Sequence, residues 1–402
     1  MKILMLSDLY RPFVGGIERH VQLLSQELSK RGHEVVICTM RQRDLPIYEE
    51  ENEVRIYRLE GLFQIIPFLF RDATKKTHPP AQDWLISREV ARIIEREGPD
   101  IIHAHDWMVY SAFPLKKSFK IPLVYTLHDY RLFCPKILLV KDNAICGRSS
   151  FWDCIPCMRN PSGLPRALAA YYGVTVNKNR LSHVDKFIAV SDFVKELYEK
   201  HLGLSDIEIV TIPIFHDPNT DKSEEKRSGS LPDDFILFVG QLMPHKGVEV
   251  LIEAYRKLNT KTKLLIIGIE HLGYSYYGTE NVLIIKKAPH PAVMGAMSKC
   301  RFLVVPSVCP ESAATVVREA MSQRKAVIAS NSGGLSEAVV DGETGILVPP
   351  GDVHKLAEAI SYLLKRPDVA SRMGGNGYKR FMENYTPAVV IPKIIQVYNC
   401  LL

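Results

Sequence analysis

At 402 residues the chain is long enough for two domains, each with its own hydrophobic core. Its 46% hydrophobic and 24% charged residues, with no low-complexity tract, are those of an ordinary globular protein. A net charge of +6 is too modest to demand nucleic acid, and no nucleic-acid motif accompanies it. The N-terminal apolar run is too short for a signal peptide, and the apolar stretch over residues 62–70 is broken by Gln64 and Pro67, so it cannot span a bilayer. The expected location is the cytoplasm, with peripheral contact at the inner face of a membrane as the furthest extension. Eight cysteines in a reducing compartment argue against a disulfide framework.

Residues 2–7 read as a buried strand. A loop with Pro12 and the pair Gly15-Gly16 leads into residues 17–31, where Val21, Leu24 and Leu28 carry helical spacing. This strand, glycine loop and helix present a helix N-terminus to whatever the loop faces. Gly-x-Gly-x-x-Gly is absent, so it is no dinucleotide fingerprint, and a tight turn explains a lone Gly-Gly equally well. Residues 35–39 supply the next strand. Residues 41–80 are less regular, and the apolar run ending at Phe70 reads as buried packing ahead of a lipid-facing element. A helix over 84–96 is stopped by Gly98-Pro99. Residues 100–107 then read as a strand with a polar tip, where ligands of parallel α/β sheets sit. His103 and His105 face one side of that strand, with no partner at a standard metal spacing. A strand over 121–130 ends in His128, for which structural and acceptor-site roles are equally open.

Cys134, Cys146, Cys154 and Cys157 fall within 24 residues, the last two as Cys-x2-Cys. Four thiolates so spaced suit a structural zinc or an iron–sulfur centre, and a loop with incidental thiols is the equal alternative. Cys38, Cys300, Cys309 and Cys400 read as core or incidental. Residues 166–180 mix apolar positions with Arg166, Lys178 and Arg180; a solvated helix is preferred over a membrane-resting or acceptor-groove element. A strand over 185–191 and a helix over 192–200 follow. Residues 217–234, rich in Pro, Asp, Lys, Ser and Glu, are the best linker.

After it the pattern restarts with a strand over 235–239, a loop over 240–247 carrying Lys246, and a helix over 248–258. This echoes residues 2–31, so two similar Rossmann-like domains are expected, 1–212 and 213–385. Further strands cover 263–268, 282–285, 302–305 and 326–329, and residues 387–402 are apolar enough to pack as a helix. Pro306 cuts off the strand over 302–305, a short loop carries Glu311, and residues 315–323 read as a helix. Between lie Ser312, Ala313 and Ala314, small enough for close backbone approach, and the helix start offers N–H groups to an anion such as a diphosphate. Glu311 and Glu319, beside an anion site, suit hydrogen bonds to sugar hydroxyls. The combination points to a nucleotide-sugar pocket.

Glu311-x7-Glu319 resembles the signature of family 4 of the retaining GT-B glycosyltransferases. Gly15-Gly-Ile-Glu-Arg-His20, followed by Arg31-Gly-His-Glu-Val35, looks like that family's opening. Phe238-Val-Gly-Gln-Leu-Met-Pro-His-Lys246-Gly247 resembles its Phe-x-Gly-Arg-Leu-x-x-x-Lys-Gly. The resemblance runs from Gly15 to Asp352. It implies an α/β GT-B fold, two Rossmann-like domains facing across a cleft, with residues 386–402 packing back on the first. It also implies transfer of a sugar, with retention, from a nucleoside diphosphate sugar to a lipid, saccharide or small-molecule acceptor. It further implies that catalysis requires no cofactor and that the leaving phosphate itself takes the acceptor's proton.

On this resemblance the catalytic groups are His105, Lys246 and Glu311. The donor site comprises Gly15, Gly16, Gly240, Gln241, Lys246, Ser312, Ala313, Ala314, Thr315, Val316 and Glu319. Lys246 and the backbone at Thr315 and Val316 would hold the diphosphate, Glu319 the ribose, Glu311 and His105 the sugar, and the Gly16 N–H a phosphate. Two residues depart from the family pattern. Gln241 stands where arginine is common, leaving Lys286, Lys287 and Arg318 as candidates to compensate, and Ala313-Ala314 replaces a frequent aromatic–glycine pair. The alternatives are a nucleotide-sugar epimerase or hydrolase, and a non-catalytic sugar-nucleotide-binding protein, to which Gln241 lends weight.

Overall fold

Runs of Ile, Leu and Val separated by amphipathic helices fold here as parallel strands buried on both faces. The structure, a computed structural model, describes residues 1–13, 15–65, 76–141, 144–147, 150–203, 208–218, 231–270, 276 and 278–402. The chain divides into two units. The first contains Met1–Lys141, Cys146–Ile212 and Ile391–Leu402, and the second is built on Pro213–Val390.

In the first unit, β1 (Lys2–Ser7), α1 (Gly16–Ser29), β2 (Glu34–Met40), β3 (Tyr48–Glu51) and β4 (Val54–Leu59) are followed by α2 (Trp84–Glu97), β5 (Ile101–Ala104), α3 (Val109–Phe119) and β6 (Leu123–Leu127). Two short strands, β7 (Val140–Lys141) and β8 (Ala144–Ile145), precede α4 (Phe151–Ser162), α5 (Leu164–Asn177), β9 (Lys186–Ala189), α6 (Asp192–Leu202) and β10 (Ile209–Thr211). The eight-stranded sheet has the order β10-β9-β6-β5-β1-β2-β4-β3. Only the β3–β4 pairing within it is antiparallel. The order reverses at β1, so the loops after β1 and β5 part at their carboxyl ends and leave a crevice there. Local signals mark the helices. Asp83 caps α2 by accepting from the Leu85 and Ile86 N–H groups, and Gly98 ends it at φ 57°.

The second unit runs β11 (Phe235–Leu242), α7 (Val248–Arg256), β12 (Lys263–Glu270), β13 (Val282–Lys286), α8 (His290–Lys299), β14 (Leu303–Val305), α9 (Thr315–Ser322), β15 (Val327–Ser330), α10 (Gly334–Ala338), β16 (Gly345–Val348), α11 (Val353–Lys365) and α12 (Pro367–Asn384). Its six strands are ordered β13-β12-β11-β14-β15-β16, all parallel. Alternate residues of one strand serve opposite cores. Ile236 and Phe238 pack with residues of α7 and α11, and Phe235 and Leu237 with residues of α8 and α9. The switch in strand order lies between β11 and β14, and both loops that carry the expected site residues leave from it.

The last helix, α13 (Pro387–Asn399), carries the chain back, and from Ile391 onward it belongs to the first unit. Its Tyr398 hydroxyl lies 2.6 Å from His103 Nδ1, with both residues fully buried. Helix α5 differs from the solvated helix expected at 166–180. Gly173 lies so close to the Pro80 carbonyl that a Cβ would overlap it, and the Asn177 amide donates to that oxygen at 3.2 Å. One face of α5 is therefore packed, while Leu164, Tyr172 and Val176 remain exposed. No helix among the described residues is long and apolar enough to cross a membrane. The apolar run at 66–70 and linker residues 219–230 lie outside the described residues.

Candidate functional site

At the carboxyl end of β11 the chain enters a single 3-10 turn, Pro244–Lys246, ended by Gly247 at φ 72°. A Cβ on Gly247 would overlap the Pro306 carbonyl oxygen, so only glycine lets this loop lie against the loop after β14. The Val308 N–H donates to the His245 carbonyl at 2.9 Å and fixes the two loops side by side. On the far side, the Gly334 N–H donates to the Glu311 carbonyl at 2.6 Å. Gly333, at φ 61° and ψ −143°, leaves no room for a side chain, since its Cβ would stand 2.5 Å from the Glu311 oxygen. The backbone of Glu311 is thus clamped by a glycine pair that follows β15.

This framework brings Lys246 and Glu311 together. The ammonium donates to Oε1 at 2.6 Å and to Oε2 at 2.9 Å, and the Ser307 hydroxyl donates to Oε1 at 2.6 Å. Burial works to raise the Glu311 carboxyl, but the Lys246 charge and these hydrogen bonds outweigh it and hold the group below the usual glutamate value. Both side chains still reach solvent, at 25% and 20% exposure, so a ligand can touch the pair.

Helix α9 begins beside it. Its N-cap, Ala314, sits in the left-handed region at φ 41° and has no side-chain cap, and Thr315 and Val316 in the first turn are half-exposed. The residue that replaces the family's usual glycine therefore keeps a glycine-like backbone. Glu319, on the next turn, is buried and lies 2.9 Å from His290 Nε2. Ser312 is half-buried and Ala313 buried in the connecting loop. Gly240 is half-buried on β11, and Gln241 next to it points into solvent. Of the cations that could replace the missing arginine, Arg318 turns inward, donating to the Ala313 carbonyl and lying over the Tyr385 ring at 4.8 Å. Lys286 meets Glu270 at 2.7 Å.

In the first unit, the carboxyl ends of β1, β5 and β6 hold a histidine cluster and an ionic one. His103 is locked between Tyr398 and Thr126, whose hydroxyl lies 2.7 Å from its Nε2. His105 Nδ1 lies 3.0 Å from His128 Nε2, and His20 stacks edge-on against both. His105 Nε2 and His128 Nδ1 are buried without a hydrogen-bond partner among the described residues. Burial, then the neighbouring rings, hold both histidines well below the usual value, so they are neutral. One ring nitrogen from each of His20, His105 and His128 lies within 4.8 Å of the other two. Beside them Arg131 pairs with Asp106 and, at 2.6 Å, with Asp129. Asp8 is raised well above the carboxylate range, by burial first and by Asp106 second. At the start of α1 Gly15 is extended and provides no side-chain cap, and Gly16 is exposed.

The four clustered cysteines line one cavity in the first unit, and none of the eight cysteines is in a disulfide. Ser307, His290 and the clamp role of Gly333-Gly334 were not singled out from the sequence. The Pro-Ser step after β14, the His-Pro at the start of α8 and the Gly-Gly after β15 are the signals that mark them.

The family model described as Glycosyltransferase Family 4 matches residues 14–220, and that described as Glycosyl transferases group 1 matches residues 220–380. An uncharacterized glycosyltransferase of Methanocaldococcus jannaschii is 29% identical over 99% of this chain and 98% of that protein. Among solved structures, sucrose-phosphate synthase from Thermosynechococcus elongatus superposes with a TM-score of 0.75 at 22% identity, covering 100% of this chain and 98% of that one. Anabaena HepE, solved in complex with UDP and glucose, gives 0.70 at 18%, covering 99% of each chain. These likenesses establish the two-domain GT-B fold.

Proposed function

Since the chain belongs to glycosyltransferase family 4, we propose that it transfers a sugar, with retention of configuration, from a nucleoside diphosphate sugar to an acceptor hydroxyl. The observation that carries this reading is the Lys246 ammonium, held by Glu311 beside the uncapped first turn of α9. An ammonium has three donors, so Lys246 can keep one on Glu311 and turn the others to a phosphate. The Thr315 and Val316 N–H groups and the positive end of α9 add to that charge. Glu311, an anion, accepts from the sugar hydroxyls, and Glu319 from the ribose. As the anomeric C–O bond to the diphosphate breaks, its electrons go to the phosphate and the acceptor oxygen bonds to the same face of the carbon. The acceptor's proton passes to the leaving phosphate oxygen, where Lys246 stabilises the remaining charge. Gly15, Gly16, Gly240, Gln241, Ser312, Ala313, Ala314 and His105 are assigned to the donor on the family resemblance. A lipid-linked, saccharide or small-molecule acceptor fits this reading equally.

HepE's complex with UDP makes uridine diphosphate sugars the first donors to try in a thermal-shift panel that also includes guanosine, adenosine and thymidine diphosphate sugars. A donor at about 100 times its dissociation constant adds roughly 2.7 kcal/mol of stability. Lys246→Ala and Glu311→Ala should each lower turnover about 30- to 1000-fold, or roughly 2–4 kcal/mol of barrier, in a folded protein. Near-normal turnover in both variants would refute the assignment.

A further inference from the structure

We propose that Cys134, Cys146, Cys154 and Cys157 together bind one zinc ion, which ties the loop after β6 to helix α4. The four residues come from three separate places in the chain, yet all of them line the same cavity, with Phe133, Leu139 and Met158 as apolar neighbours. Each segment is shaped for this. On α4, Cys154 and Cys157 are three residues apart, so both sulfurs lie on one face of the helix. Cys146 is anchored by its N–H, which donates to the Leu139 carbonyl at 2.9 Å.

Cys134 sits at the head of a tight turn closed by the Ile137 N–H on its carbonyl at 2.9 Å. The turn after it holds two non-glycine residues in the left-handed region, Ile137 at φ 71° and Leu139 at φ 54°. For a β-branched residue this conformation is unfavourable, and such strain collects where a ligand is clamped.

Four cysteine sulfurs match, in kind and number, the donors of a closed structural zinc. On binding, the thiols release their protons and leave a site of net charge −2. Lys136 and Asp153 also line the cavity, one of each charge. The loop so tied starts beyond His128 and Arg131, which stand at the end of β6, so the ion would stiffen the segment that follows these residues.

The test is the metal content of the full chain, purified anaerobically with a reductant and without a histidine tag. About one zinc per chain is expected, retained in Cys400→Ser, whose exposed thiol lies elsewhere, and lost in Cys134→Ser and Cys157→Ser. Replacing zinc by cobalt in the unaltered chain should produce sulfur-to-cobalt charge-transfer absorption and the intense visible bands of a tetrahedral thiolate site. That readout does not depend on a variant folding. A chain that takes up neither zinc nor cobalt would overturn the proposal. So would iron with acid-labile sulfide, disulfides in place of the four thiols, or full zinc retained after both cysteine substitutions.

Discussion

Acidification from about pH 7 to about pH 5 should destabilise the first unit through histidines that its core keeps neutral. His103, fully buried between Tyr398 and Thr126, is pushed down to about 3, by burial first and His20 second. His78, buried between Ser111 and Pro79, is pushed down to about 4, chiefly by burial. In the unfolded chain each titrates near 6.5. Below that value the unfolded state binds a proton that the folded state does not, so stability falls as pH falls. Each residue then costs about 2 kcal/mol over this interval, and His105 and His128 act in the same direction. Asp8 and Asp106, both raised mainly by burial, bind protons in the folded state first and work the opposite way. A difference measurement therefore isolates the histidine contribution. All three tryptophans, Trp84, Trp107 and Trp152, lie in the first unit, so their fluorescence during urea unfolding reports that unit alone. His103→Gln is less stable at neutral pH, but its loss between the two pH values should be about 2 kcal/mol smaller than that of the parent. An unchanged loss would refute the claim that His103 stays neutral in the fold.

Three glycines should rank by what surrounds them. Gly98→Ala meets open space and costs only the left-handed backbone, about 1 kcal/mol, whereas Gly247→Ala adds overlap with Pro306 and Gly333→Ala overlap with Glu311. The latter two should exceed about 3 kcal/mol in urea unfolding and also weaken donor-induced thermal shifts; equal costs at all three sites would show that the loop contacts do not matter. Arg131→Met strands Asp106 and Asp129 without their cation and should cost about 3 kcal/mol, the lower end for a broken buried pair, because Asp8 can remain protonated. A cost below about 1 kcal/mol by tryptophan fluorescence would refute the network.

The elements of this chain were legible because their signals are local. Ile, Leu and Val runs mark strands buried on both faces, Asp83 and Gly98 bracket α2, and the restart at Phe235 announces a second sheet. The family was legible from the order and spacing of Gly15-Gly16, Lys246, Glu311 and Glu319. What these residues touch was not, because every partner is distant in sequence. Lys246 and Glu311 meet only because the sheet reverses between β11 and β14, and Glu311 is held by Gly333 and Gly334 from beyond a third strand. Arg318, a plausible phosphate ligand by composition, is turned inward by Tyr385, more than sixty residues along. His103 and His105, two apart on one strand, have different partners because the last helix brings Tyr398 to the first alone. Periodicity reports which face of an element is buried. Which residues meet across those faces depends on strand order and chain return, and only the tertiary structure decides that.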